Sequence, residues 1–312
     1  MIRFLKYILI ISLIVNKSFS QYELNLTDYY ATPINYNPGY VGVTEGYYMK
    51  GYYSTQWIGF DGAPNTQLFE GHYKFNNKNF AAGISILNDT FGNSRSFNFE
   101  TNFSVDLGIT SNLSMALGLK IGSNSFSLNN SQLNVFDRTE YVFSKEIDTY
   151  FKPIAGAGLF IYSDNFFVSF SLPNFLKNSL NGEDDEIIYN YKSPFFSSLG
   201  YNLNLNNSIK VYNQILMRFK KQFPNSYLIT SKILYNNRFG ISFMYEPKTL
   251  YGLLFFIPIN QNIRLSYGFN FPQNKILNKS NLNYSFGLSF QALKNVMSWS
   301  DKEESDKPFI IR

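Results

Sequence analysis

His72 is the only imidazole in a chain of 312 residues, and cysteine is absent. Those two counts remove most side-chain chemistry. No disulfide, thiolate metal site or cysteine nucleophile can form. A serine nucleophile would need His72 beside it as base. His72 instead lies in the alternating run Phe69-Glu70-Gly71-His72-Tyr73 and reads as a strand-surface histidine. Gly83, Gly92, Gly118, Gly122, Gly156 and Gly158 fall within or beside similar runs, so they do not make a phosphate loop. The acidic run Glu183-Asp184-Asp185-Glu186 is dense enough to take Ca²⁺, although such runs more often form solvated loop tips. No cluster stands at metal-ligand spacing. The sequence therefore assigns no catalytic residue, metal or cofactor, and an enzyme such as a barrel phospholipase would have to work through His72.

The elements that carry these residues are strands. In residues 112–122, Leu113, Met115, Leu117, Leu119 and Ile121 share one face, and Ser114, Ala116, Gly118, Lys120 and Gly122 share the other. A two-residue period gives each strand one apolar and one polar wall. Aromatic residues reach 19%, with 32 Phe and 24 Tyr, yet charged residues are 16% and mean hydropathy is only −0.18. A soluble sandwich would have to bury all these rings in a thin core. A transmembrane barrel explains both numbers, with a lipid-facing exterior and a polar interior. In hydrocarbon every backbone group must be paired, which leaves helices and closed barrels, and no second long apolar helix is present. The expected fold is all-β: an outer-membrane β-barrel of about 14 antiparallel strands.

The pattern places strands at 46–57, 65–75, 79–89, 95–108, 111–127, 152–162, 165–172, 194–205, 208–220, 224–235, 237–246, 250–258, 262–271 and 281–291. Every second connection is short: Asn76-Asn77-Lys78, Thr110-Ser111, Ser163-Asp164, Asn206-Asn207, Asn236-Asn237 and Asn260-Gln261. Asn tolerates positive φ and suits such turns. The two long connections, 128–151 and 173–193, fall on the opposite side. Short turns belong to the periplasm and long loops to the outside.

Residues 1–20 have a basic start (Arg3, Lys6), an apolar run and the small residues Ser18 and Ser20, the layout of a Sec signal peptide cleaved near Ser20/Gln21. Removing Arg3, Lys6 and Lys17 leaves 24 basic against 22 acidic residues, so the formal charge falls from +5 to +2. That gives no argument for a nucleic-acid partner. The expected organisation is a signal peptide (1–20), a pre-barrel segment (21–45), a transmembrane barrel (46–291) and a charged periplasmic tail (292–312). The pre-barrel segment either folds into the lumen or hangs in the periplasm as a loose leader.

Two segments carry a family resemblance. One is Asn37-Pro38-Gly39-Tyr40-Val41-Gly42. The other is Gln56-Trp57-Ile58-Gly59-Phe60-Asp61-Gly62-Ala63-Pro64-Asn65-Thr66. Following a signal peptide at this spacing, they resemble the PorP/SprF family of type IX secretion outer-membrane proteins. The likeness continues through Gly83–Gly92, becomes diffuse after Gly122, and departs from the family at Asn270, where an acid is expected. On its own physics, the second segment is either a rigid hairpin with Trp57 at the membrane boundary, or a partner contact. The resemblance implies a bacterial outer-membrane component that works with the type IX translocon and its periplasmic ring. Its task would be to dock or anchor the C-terminal domains of secreted cargo and adhesins, gliding-motility adhesins included. The alternative is a passive channel for small solutes.

Overall fold

The protein is described by a computed structural model covering residues 24–75, 79–129, 147–176, 178–181, 187–191, 193–220, 225–236, 238–273 and 282–292. The expected signal peptide at 1–20, the expected turn at 76–78, the acidic run at 183–186 and the residues beyond Ala292 lie outside the described residues.

The alternating runs form β1 (Tyr47–Thr55), β2 (Asn65–Lys74), β3 (Phe80–Phe91), β4 (Ser94–Gly108), β5 (Ser114–Leu128), β6 (Ile147–Tyr162) and β7 (Phe166–Leu172). After them come β10 (Phe195–Asn204), β11 (Ile209–Phe219), β12 (Ser226–Tyr235), β13 (Phe239–Glu246), β14 (Leu250–Pro258), β15 (Ile263–Pro272) and β16 (Asn283–Ala292). These fourteen strands make one closed antiparallel barrel, each paired with its sequence neighbours. β1 closes the ring on β16, in register from Tyr47↔Ala292 to Thr55↔Tyr284. Closure leaves no edge to satisfy in lipid. The expected fold class is borne out.

The two walls separate as the period requires. On β5, Leu117, Leu119 and Ile121 point outward, 47%, 61% and 56% exposed, while Ala116, Gly118 and Lys120 between them are buried. The polar wall is therefore not wet here. Residues 24–46 fold into the lumen as a plug and cover it.

Three differences from the sequence reading have physical causes. β6 begins five residues earlier than expected, at Ile147, pairing Ser125↔Phe151 and, past a bulge, Leu128↔Ile147. Thr149, Tyr150 and Phe151 are all exposed there, so the in–out alternation is absent where β6 begins. Second, the connection after β7 holds a separate hairpin of β8 (Asn178–Asn181) and β9 (Ile187–Tyr191). Third, the Asn-rich turns work mainly through side chains. Asn206 Oδ1 accepts from the N–H groups of Ser208 and Ile209, and Asn260 Oδ1 from those of Asn262 and Ile263, at 2.8–2.9 Å. Asn236 does take positive φ, at 50°.

Candidate functional site

The plug begins with two short helices, α1 (Leu26–Ala31) and α2 (Pro33–Tyr36), and ends in a 3₁₀ turn, Pro38–Tyr40. Helices this short do not hold in water, so packing must fix them. Leu26, Ile34, Tyr36 and Tyr40 are fully buried in one cluster with Phe160 of β6 and Phe196 of β10. The Tyr40 and Phe160 ring centroids are 4.4 Å apart, and those of Tyr36 and Phe196 5.2 Å.

Polar contacts fix the plug's register. The Asn37 side chain donates to the Leu159 and Phe170 carbonyls at 3.3 and 3.4 Å, and its Oδ1 accepts from Gly39 N–H at 2.8 Å. Pro38 opens the 3₁₀ turn, and this knot lies on Gly118 and Gly158 of the wall. A Cβ at Gly118 would strike Pro38 and Gly39; one at Gly158 would strike Asn37 and Pro38. Gly42, with φ 78°, turns the chain against Ala81 towards β1. The Tyr40 hydroxyl shares hydrogens with Ser198 at 3.1 Å and accepts from Tyr36 at 3.0 Å. Tyr52 donates to Asp28 Oδ1 at 2.8 Å. Burial pushes the Asp28 carboxyl up to about 6, against the smaller downward pull of the Tyr52 and Ser54 hydroxyls and the Asn25 backbone.

Wall cations complete the hold. Lys120 Nζ donates to the Asn35 carbonyl at 2.7 Å and pairs with Glu100. Lys50 Nζ donates to the Ala31 carbonyl, and Arg218 Nη1 to the Leu24 carbonyl at 2.8 Å. Sequence reasoning missed these three residues. The signal available was a basic residue on the polar face of each strand, alone on β1 and β5 and accompanied by Lys210 on β11.

The second motif forms the connection between β1 and β2. Strand β1 stops at Thr55, two residues before Trp57. Gln56 N–H then closes on the Pro64 carbonyl at 3.0 Å, and Ala63 N–H on the Phe60 carbonyl at 3.3 Å. Trp57 takes φ 48°, and its N–H donates to Asn283 Oδ1 of β16 at 3.3 Å. Its ring meets the edge of Phe91, 6.0 Å between centroids. It therefore packs on the barrel rim. Gly59 and Gly62 have φ of 90° and 73°. The Gly62 carbonyl accepts from Gly92 N–H at 2.8 Å, and a Cβ at Gly62 would sit 3.0 Å from Gly92 Cα. The loop is thus tied to the β3–β4 turn on one side and β16 on the other. Gln56 and Pro64 are buried, whereas Ile58, Gly59, Asp61 and Gly62 are exposed.

The two motifs are not brought together. Asn37 and Pro38 rest on β5, β6 and β7, while the loop carrying Gln56 and Pro64 rests on β3, β4 and β16. His72 is not on the surface as expected. It faces the lumen with Glu70, is buried, and stacks on Tyr48 at 5.2 Å, because the plug covers the wall that the alternation marks as polar. Among the described residues no group of three His, Asp or Glu side chains is placed to hold a metal ion.

The model of the family described as type IX secretion system membrane protein PorP/SprF matches residues 18–291. No curated protein matches the sequence. Among solved structures, the toluene transporter TbuX of Ralstonia pickettii is similar at TM-score 0.51 and 10% identity, over 82% of this chain and 92% of that one. The monoaromatic hydrocarbon channel CymD is similar at TM-score 0.51 and 11% identity, over 84% and 93%. At such identity the likeness concerns the fold alone.

Proposed function

The chain belongs to the PorP/SprF family of type IX secretion system membrane proteins, and from that premise we propose that it is a plugged docking base for secreted cargo in the outer membrane. The observation that carries this reading is the filled lumen. A barrel whose interior is held shut by its own residues 24–46 works through its surfaces. That favours docking over the passive channel, which needs an open path.

In this reading, the outer rim receives the C-terminal domain of an exported adhesin or other cargo, gliding-motility adhesins among them. The exposed tip of the Gln56–Pro64 loop, Ile58 to Asp61, makes the contact, and its buried members hold the tip in place. The short turns face the translocon and the periplasmic ring. Residues 1–20 are a Sec leader removed near Ser20/Gln21, residues 21–45 the pre-barrel segment whose described part, from Leu24, forms the plug, 46–291 the barrel and 292–312 a periplasmic tail.

Deleting the gene and measuring surface display and secretion of type IX cargo tests the proposal. Loss of at least one cargo, restored by the intact chain and not by a chain with Ile58→Asp and Phe60→Ala, is expected. Unchanged export of every cargo would sink it. Steady conductance of the intact purified barrel in planar bilayers would favour the channel instead.

A further inference from the structure

The plug has a direction, set by the wall residues that it meets in turn. At its C-terminal end the Gly46 carbonyl accepts from the N–H of Lys74 at 3.2 Å, and Lys74 is the last residue of β2, beside a short turn. The Val41 carbonyl accepts from the Ser104 hydroxyl, four residues from the short-turn end of β4. Lys120, which holds the Asn35 carbonyl, stands in the middle of β5. Towards its N-terminal end the partners lie at the mouth of the long connections. Asn270 Nδ2 donates to Thr27 Oγ1 at 3.2 Å, two residues before β15 ends. Arg218 holds the Leu24 carbonyl one residue before β11 ends. The plug thus crosses the barrel from the long-connection mouth to the short-turn mouth, and β1 climbs back beside it. Gly42 and Gly46, with φ of 78° and 76°, make the reversal.

An apolar contact places the upper end independently. Leu24 packs against the cluster of Ala31, Tyr52, Leu68 and Leu87. Tyr52 and Leu68 stand three residues from Thr55 and Asn65, the strand ends that the Gln56–Pro64 loop connects. Leu24 therefore lies beneath that loop. The guanidinium that grips its carbonyl is itself fixed, because Arg218 Nε donates to Ser226 Oγ at 3.0 Å. Leu24 and Asn25 are only half-buried, whereas Leu26, Thr27 and Asp28 below them are buried. The Asn25 side chain makes no capping bond to α1. The end of the plug is a held, partly open surface at that mouth.

We propose that Leu24 and Asn25 form the floor of the cargo-docking surface, so that a polypeptide seated on the Ile58–Asp61 tip also meets the end of the plug. The proposal rests on the docking reading, which makes the long-connection mouth the outer one.

The chain has no cysteine, so a single introduced one reports which side it faces. Cells carrying Asn25→Cys, Asp61→Cys or Asn207→Cys are treated with a polyethylene-glycol maleimide too large to cross the outer membrane. Gel shifts are read in intact cells and after the envelope is opened, and unboiled gel mobility checks folding. Asp61 lies in the motif loop and Asn207 in a short turn, and both are exposed. Asn25→Cys and Asp61→Cys should shift in intact cells, and Asn207→Cys only in opened ones. Labelling should then lower cargo display in Asn25→Cys cells and leave it unchanged in cells with the cysteine-free chain. If Asp61→Cys and Asn207→Cys exchange behaviour, the docking reading falls and this proposal with it. With both as expected, an Asn25→Cys chain that stays unlabelled in intact cells overturns this proposal alone. So does full labelling that leaves display unchanged where deletion of the gene abolishes it.

Discussion

Adding one methyl group to the barrel wall should release the plug and leave the barrel intact. Gly118 and Gly158 are register partners on β5 and β6, and both lie under the Asn37-Pro38-Gly39 knot. At Gly158 an added Cβ would come within 2.9 Å of Pro38 Cδ and closer still to Asn37; at Gly118 it would meet Pro38 and Gly39 backbone atoms. Backbone cannot swing aside as a flexible side chain can. Such overpacking costs about 1–3 kcal/mol. Lifting the knot also strains the Asn37 bonds to the Leu159 and Phe170 carbonyls, worth about 0.5–1.5 kcal/mol each. The sum is about 2–6 kcal/mol, or roughly 30-fold to 20,000-fold in the open population. Native-state hydrogen exchange read by mass spectrometry should therefore show faster exchange at Gly39, Tyr40 and Val41 in Gly118→Ala and Gly158→Ala. Strand amides should stay protected. Gly51→Ala, where an added Cβ meets nothing within 4 Å, serves as the control. Unchanged plug exchange in both variants would refute the docking geometry. Equal loss of protection in plug and strands would refute their independence.

Three further outcomes follow from the same geometry. Asp28 is an acid whose folded value, about 6, lies above its unfolded one. Its contribution to docking is complete below the ordinary carboxylate range and is lost as pH rises through about 6. Plug protection, taken relative to the intrinsic exchange rate at each pH, should therefore fall between pH 4 and pH 6.5, and Asp28→Asn should flatten that profile. Glu100→Gln strands the buried Lys120 ammonium and should cost about 3–5 kcal/mol in thermal unfolding, whereas the double replacement Glu100→Gln with Lys120→Met should cost less because it strands no charge; equal costs would contradict a buried pair. Leu119→Arg puts a charge on the lipid face and should cost about 2–4 kcal/mol in urea unfolding from lipid vesicles if Leu119 is near mid-membrane.

Fourteen barrel strands were legible in the sequence because each outward residue meets lipid and each inward residue does not. The correspondence is close where that selection operates, as at β14 and β15. It weakens at the start of β6, where Thr149, Tyr150 and Phe151 are all exposed and no longer report the period. The plug was legible only as a choice between two fates. Its helices are too short for a helical period, and its placement depends on wall residues far along the chain. His72 was misplaced for the same reason. Alternation identifies which wall a side chain joins, but does not reveal that another segment covers that wall. The second motif was legible only as a rigid hairpin or a partner contact, and the contacts that fix both motifs lie far along the chain. Asn37 is held by carbonyls of β6 and β7, and Trp57 by Asn283 at the far end of the chain.

Wall and plug are complementary in a specific chemical sense. Three wall cations take plug carbonyls: Lys50 that of Ala31, Lys120 that of Asn35 and Arg218 that of Leu24. Ala31 is the last residue of α1 and Asn35 lies in the single turn of α2. Carbonyls at helix ends lack intrahelical partners and carry partial negative charge. The wall therefore supplies donors to plug carbonyls that would otherwise be buried without them, while Lys120 and Arg218 keep wall partners of their own in Glu100 and Ser226. In an empty lumen, water would solvate both sets of groups, and nothing would select for this pairing. The arrangement fits a barrel whose lumen is occupied by a segment that the chain provides for itself.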